Sequence, residues 1–114
     1  MNDMKSVAEL TAEAAPLKEL VSYQENAVIS RNLIKGEAGF VALFAFDQGE
    51  GISEHSAPFD ALAYIIEGSA DITISGRPFR VDAGEVIIMP ANDPHALLAP
   101  TRFKMLLVGV GNNH

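Results

Sequence analysis

The fold is decided by two stretches of sequence, residues 51–68, GISEHSAPFDALAYIIEG, and residues 84–95, GEVIIMPANDPH. Each stretch holds one histidine, His55 or His95, and the only other histidine is His114. Between them, residues 72–79, ITISGRPF, predict a strand, a tight turn and a second strand. A sheet folded back in this way can bring the two imidazoles to the same end. We therefore predict one two-histidine site if they converge, and two ordinary surface residues if they do not.

Length and composition favour one soluble domain. The chain has 114 residues, of which 48% are hydrophobic, so it can build one core. Its apolar runs are far shorter than the ~20 residues of a membrane span, and its N-terminus does not resemble a signal peptide. We expect a cytoplasmic protein with no membrane partner. Because the sequence has no cysteine, any metal would be held by nitrogen and oxygen atoms.

The charge distribution argues against nucleic acid as a partner. Fifteen acidic residues against eight basic ones give a net charge of -7, and the basic residues are scattered along the chain. A phosphate backbone would meet net repulsion, and no basic stripe or recognition element compensates for it. The acidic balance therefore indicates solubility rather than a nucleic-acid interface.

Hydrophobic periodicity predicts one short helix followed by strands. Residues 6–15 begin with a capping box, in which Ser6 and Glu9 can satisfy each other's backbone, and Pro16 ends the run. From Leu17 onward the period is two, as in the apolar stripe of Phe103, Met105 and Leu107. Turn signals recur between short strands. This pattern favours an all-β barrel or sandwich.

The two histidine-bearing stretches resemble the two signature motifs of the cupin superfamily, in its small single-domain form with one conserved barrel. The resemblance covers about residues 38–108 and is carried by Gly51, His55, Gly68, Gly84, Pro90 and His95. Asn92 stands where the family usually has glycine, and asparagine can adopt the left-handed conformation such a turn demands.

The resemblance implies an all-β double-stranded β-helix, or jelly-roll barrel, with a short N-terminal helical segment. Residues 1–37 would be an extension of a short helix and leading strands that packs on the barrel or on a dimer partner. Residues 38–110 would form the cupin barrel, and residues 111–114 a disordered tail. Strand edges before residue 38 lead us to expect a homodimer.

The resemblance also implies a metal site, which this sequence retains only in part. The family's ligands are two histidines and a glutamate from the first motif and a histidine from the second. They fall on His55, Ala57, Ala61 and His95. The asparagine of the second motif would fall on Ala99. Two imidazoles alone should hold one divalent transition metal (Zn, Fe, Ni or Mn) weakly or not at all.

A third metal ligand could come from the region of the missing glutamate. If side chains alternate strictly between the inside and the outside of the barrel from His55 onward, Asp60 points outward. Pro58 can mark a bulge, however, and a bulge would turn Asp60 inward. We therefore take Asp60 as the candidate third ligand beside His55 and His95. Glu54 and Met89 are further alternatives.

Three functions follow from these motifs. The first is a cupin that binds a small organic molecule, such as a carboxylate or phenol, through the depleted two-histidine site, where the imidazoles could also move a proton. The second is a metal-dependent cupin enzyme, namely a dioxygenase, isomerase or decarboxylase of small carbonyl or carboxylate compounds. The third is a structural or partner-binding module, which would tolerate the loss of both histidines.

Overall fold

Two antiparallel sheets make up the protein. The computed structural model describes Ser6 and residues 10–111. Within these residues, the strands are β1 Val28–Gly36, β2 Gly39–Phe46, β3 Gly51–His55, β4 Phe59–Glu67, β5 Ser69–Ile74, β6 Arg77–Asp82, β7 Val86–Met89, β8 His95–Leu98 and β9 Phe103–Gly111. The large sheet has the order β1-β2-β9-β4-β7, and the small sheet has the order β3-β8-β5-β6. This architecture confirms the predicted jelly-roll barrel.

Helix makes only a minor contribution. The helix predicted over residues 6–15 includes Val7, Ala8 and Glu9, which lie outside the described residues. Around them, the Leu10 amide donates to the Ser6 carbonyl at 3.2 Å. A 3-10 turn, Leu17–Glu19, follows Pro16. No helix in the described part of the chain is long and apolar enough to span a membrane. At the other terminus, Gly111 still belongs to β9, and Asn112–His114 lie outside the description.

The hairpin turn predicted within residues 72–79 and the left-handed residue predicted at Asn92 are both present. Ser75 and Gly76 join β5 to β6 with φ angles of 49° and 81°, as expected when both central residues of a two-residue hairpin loop have positive φ. Asn92 has a φ of 69°. Asparagine therefore adopts the left-handed conformation expected of it at the position where the family usually has glycine.

The core lies between the two sheets and follows the period of two. In β4, Ala61, Ala63 and Ile65 are buried inside the barrel, while the residues between them face outward. Phe46 at the end of β2 stacks on Phe103 at the start of β9, with ring centroids 4.3 Å apart. This pair fills one end of the barrel. The opposite end, which we call the mouth, carries the β1–β2 turn and residues 56–58, 75–76 and 90–94.

The segment before β1 covers part of the outer face of the large sheet. Leu20 and Val21 are buried there against Leu43 and Ala45. Arg31 ties the segment to β1, because its Nη1 donates to the Leu20 carbonyl at 2.7 Å. A second small core is thus stabilised outside the barrel.

Candidate functional site

The two motif histidines meet at the mouth of the barrel. His55 ends β3 and His95 begins β8, and they lie directly opposite each other in the small sheet. Their ring centroids are 4.3 Å apart, with ring planes at 69°. The convergence on which the prediction of a single site depended is therefore present in the structure.

A β-bulge creates this pairing. Ile52 pairs with Leu97 and His55 pairs with His95, so β3 has one more residue than β8 between these two pairs. The bulge therefore places His55 rather than Glu54 beside His95. Glu54 is exposed within the bulge. Pro58 suggested a bulge at its own position, but no glycine or proline in residues 52–55 signals this one.

Backbone carbonyls fix the tautomer of both histidines. The Nδ1 of His55 lies 2.9 Å from the Ser53 carbonyl oxygen, and the Nδ1 of His95 lies 3.2 Å from the Asp93 carbonyl oxygen. Because a carbonyl oxygen can only accept, each Nδ1 carries the proton and donates it. In the neutral ring, Nε2 then holds the free lone pair. The pair therefore presents two hydrogen-bond acceptors or two metal donors.

Burial keeps His95 in this neutral form. Its residue is 7% exposed, whereas His55 lies at the exposed rim of the mouth. Burial lowers the pKa of His95 below its ordinary value. The Asp93 carbonyl opposes this shift, and the neighbouring His55 adds to it. At neutral pH, His95 is consequently an acceptor at Nε2.

Asp60 lies apart from the histidines and contacts the backbone. It is exposed in β4 and precedes the buried, inward-facing Ala61. The strand keeps its register from Phe59 to Ile65, so Asp60 stays on the outer face with Leu62. Its Oδ1 accepts from the Ala91 amide at 2.8 Å. This bond attaches the start of β4 to the loop that carries Asn92.

The remaining candidates are also accounted for. Met89 is 2% exposed inside the barrel and pairs with Ala61 across the large sheet. Two bonds between backbone groups connect the loops of the mouth. The backbone N–H of Asn92 donates to the Ala57 carbonyl at 2.7 Å, and the backbone N–H of Ser75 donates to the Pro94 carbonyl at 2.8 Å. These backbone bonds hold the loops of the mouth around the two histidines.

The donor set does not complete a metal site. In the part of the chain that the structure describes, no three His, Cys, Asp or Glu side chains are grouped so as to hold a metal ion. Two imidazoles fall short of the three protein ligands usual for a catalytic metal. The residues present therefore do not fit a tightly held ion, and a role for Asp60 as a ligand stays a prediction.

Comparisons with known proteins agree with this fold. The family profile of the Cupin domain matches residues 42–109. A conserved protein of unknown function from Streptococcus pyogenes superposes with a TM-score of 0.86 at 38% identity, covering 90% of each chain. A cupin superfamily protein from Desulfitobacterium hafniense gives a TM-score of 0.84 at 32% identity, covering 88% of this chain and 92% of its own. The chain therefore belongs to the cupin family.

Similarity to curated proteins is more distant. The tetracenomycin polyketide synthase protein TcmJ of Streptomyces glaucescens is 26% identical over 72 residues, which are 62% of this chain and 48% of that protein. The polyketide synthase CurC of Streptomyces cyaneus is 30% identical over 59 residues, which are 51% of this chain and 38% of that protein. The chain spans at most about half the length of these curated relatives.

Proposed function

We propose that this cupin binds a small organic molecule that donates hydrogen bonds to the His55–His95 pair. One observation carries the proposal: the two rings are 4.3 Å apart, and backbone carbonyls occupy both Nδ1 atoms. Among the described residues, neither Nε2 atom has a hydrogen-bond partner, so the pair offers two lone pairs to a ligand. The curated relatives are named for polyketide synthesis, which supports a small organic molecule as the ligand.

The protonation of the pair selects the ligand. Neutral Nε2 atoms accept but cannot donate, so a phenol or enol hydroxyl is a better partner than a carboxylate. A carboxylate can only accept and would face the lone pair of the neutral His95 ring. Because burial lowers the pKa of His95, protonation of that ring is unfavourable at neutral pH. The neutral His95 ring could accept a proton from an acidic enol.

Fluorescence titration with 2-naphthol tests the proposal, because the chain contains no tryptophan to obscure the signal. We expect His55→Ala and His95→Ala each to weaken binding at least about fivefold, the effect of losing one hydrogen bond. Lys18→Gln, on the 3-10 turn, is the matched control and should bind as wild type does. Weakening in only one histidine variant, with both folded, would contradict a shared site.

A metal-dependent enzyme is the second candidate. The fixed tautomers favour it, because histidines that bind a metal through Nε2 usually donate Nδ1–H to a carbonyl or carboxylate. A bound ion would supply a Lewis acid beside the mouth, with His55 and His95 as its ligands. Zinc titration of wild type, both histidine variants and Asp60→Asn tests this candidate. A tenfold loss of zinc affinity in Asp60→Asn would support Asp60 as the third ligand. Unchanged zinc affinity would leave Asp60 as a residue that only accepts a hydrogen bond from the loop.

We also propose that the protein is a homodimer formed through the uncovered outer face of the large sheet. Ile34 and Ile88 are more than half exposed there. They end a row of directly paired outward-facing residues that crosses all five strands, Ile34, Val41, Val108, Leu62 and Ile88. A second copy could bury this row against itself by two-fold symmetry.

A further inference from the structure

The mouth contains a second binding element on the side of the large sheet. A recess of about 190 Å³ lies beside the β1–β2 turn, and its side chains are those of Lys35, Glu37, Phe40 and Phe59. Glycines, among them Gly109, form the rest of its lining. We call this space the mouth recess. A cavity of ~150 Å³ can hold a benzene molecule, so the recess has room for about one aromatic ring.

Two phenylalanines give the mouth recess an aromatic wall. The rings of Phe40 and Phe59 meet edge to face, with centroids 5.3 Å apart and planes at 90°. Phe59 also packs against the barrel core. The Phe40 ring lies over Gly109, so closely that a Cβ built on Gly109 would overlap it. A flat ring is the ligand surface that such a wall fits best.

Lys35 adds a positive charge to the same wall. Lys35 pairs directly with Phe40, so both side chains project from the inner face of the large sheet. This orientation results from a bulge between Asn32 and Ile34, which reverses the parity of the rest of β1. No described residue forms an ion pair with Lys35. Glu37 follows in the turn and is the other charged group of the recess.

We propose that the mouth recess binds the aromatic carboxylate end of a ligand whose hydroxyl end contacts the His55–His95 pair. The inference rests on the proposed function and names its ligand class as hydroxyaryl carboxylates. The histidines project from the small sheet and Lys35 from the large sheet, at the same end of the barrel. A rigid two-ring molecule with its hydroxyl and carboxylate at opposite ends is a ligand shape that suits two such groups. Lys35 supplies the counter-ion to the carboxylate.

Three naphthalene probes separate the two ends of the ligand. 6-Hydroxy-2-naphthoate carries both groups, 2-naphthol lacks the carboxylate, and 2-naphthoate lacks the hydroxyl. We expect the two-group probe to bind more tightly than either of the others at neutral pH. Lys35→Gln should weaken it about tenfold, as expected for a lost charge-assisted hydrogen bond, and leave 2-naphthol within about twofold of wild type.

Charge and shape variants sharpen the test. Glu37→Gln removes the negative charge of the recess and should strengthen binding of 6-hydroxy-2-naphthoate, the opposite effect to Lys35→Gln. Lys18→Gln is again the matched control. Gly109→Ala displaces the Phe40 ring and should weaken the carboxylate probes. If Gly109→Ala does not fold, the two charge variants Lys35→Gln and Glu37→Gln decide by themselves whether the mouth recess binds the carboxylate.

The results distinguish this inference from the function on which it rests. If Lys35→Gln and Lys18→Gln bind 6-hydroxy-2-naphthoate equally, while His55→Ala still loses 2-naphthol, the mouth recess is not the carboxylate site and the histidine site stands. If wild type binds none of the probes at millimolar concentration, both proposals are overturned. If Lys35→Gln weakens binding of the two carboxylate probes but not of 2-naphthol, the mouth recess is supported as the carboxylate site.

Discussion

Gly68 lies against the backbone of Arg102, so closely that a Cβ built on Gly68 would overlap the Arg102 carbonyl oxygen. Gly68 also has a φ of 78°, in the left-handed region. The turn between β4 and β5 therefore needs glycine for two separate reasons, its conformation and its close approach to the chain before β9.

Replacing Gly68 should therefore cost more than replacing a glycine that needs only its conformation. We expect Gly68→Ala to lower the free energy of unfolding by about 3 kcal/mol. Gly76→Ala is the matched control, because Gly76 has a φ of 81° and open space where a methyl group would lie, and should cost about 1 kcal/mol. Chemical denaturation measures both, and equal losses would contradict a steric role for Arg102.

His95 should make the stability of the protein depend on pH. Because burial lowers its pKa, the unfolded chain takes up a proton at a higher pH than the folded protein does. The contribution of His95 to stability is complete above its unfolded value of about 6.5 and is lost as the pH falls through the folded value. Wild type should therefore lose more stability than His95→Gln between pH 7.5 and 5. Parallel curves would contradict the shift.

Asp47 should stabilise the protein at neutral pH through its carboxylate. The pKa of Asp47 is lowered mainly by the backbone N–H of Asn26, which donates to Oδ2 at 2.7 Å. Arg102 lowers it further, because its Nε donates to Oδ1 at 2.7 Å. This stabilisation is present above the ordinary pKa of an aspartate, about 3.9, and is lost as the pH falls through the folded value.

The Asp47→Asn variant tests this dependence. Its Tm should lie below that of wild type at pH 7, and the gap should narrow under acid conditions. Asp71→Asn is the control, because Asp71 forms an exposed ion pair with Arg80 and should change Tm little. A gap for Asp47→Asn that does not depend on pH would assign its effect to packing rather than to charge.

The outer face of the large sheet should determine the oligomeric state. Ile88→Glu places a charge in the row of apolar residues on that face, where Ile88 is 58% exposed, and should convert the proposed dimer to a monomer. Leu98→Glu introduces the same charge at a site 52% exposed on the small sheet and should remain a dimer. Sedimentation velocity distinguishes the species. Monomers in both variants and in wild type would contradict the proposed dimer.

The predictable part of the structure is the part that depends on local chemistry. Alternation along β9 predicts that Phe103, Met105 and Leu107 face the core, and the Ser75-Gly76 pair predicts its hairpin. The left-handed conformation of Asn92 follows from its side chain and its position in the motif. Convergence of His55 and His95 needs β3 to pair with β8, which the strand-turn-strand prediction for residues 72–79 allows but does not determine.

Bulges account for what the sequence leaves open. The bulge before His55 and the bulge before Ile34 each add one residue to a strand, and neither contains the glycine or proline that would signal it. Each extra residue moves the side chains that follow it to the opposite face of the sheet. The first places His55 beside His95, and the second turns Lys35 toward the mouth. Asp60 shows the converse, because the bulge that Pro58 suggested does not move it inward.

The position of β9 has a consequence for how the protein folds. Among the strands of the described residues, β9 comes last, yet it lies at the centre of the large sheet, between β2 and β4. During synthesis on the ribosome, β2 and β4 therefore lack their shared neighbour until residues 103–111 emerge. Because these pairings join distant parts of the chain, we expect slow, cooperative folding, in the ms–s range typical of two-state β proteins with high contact order.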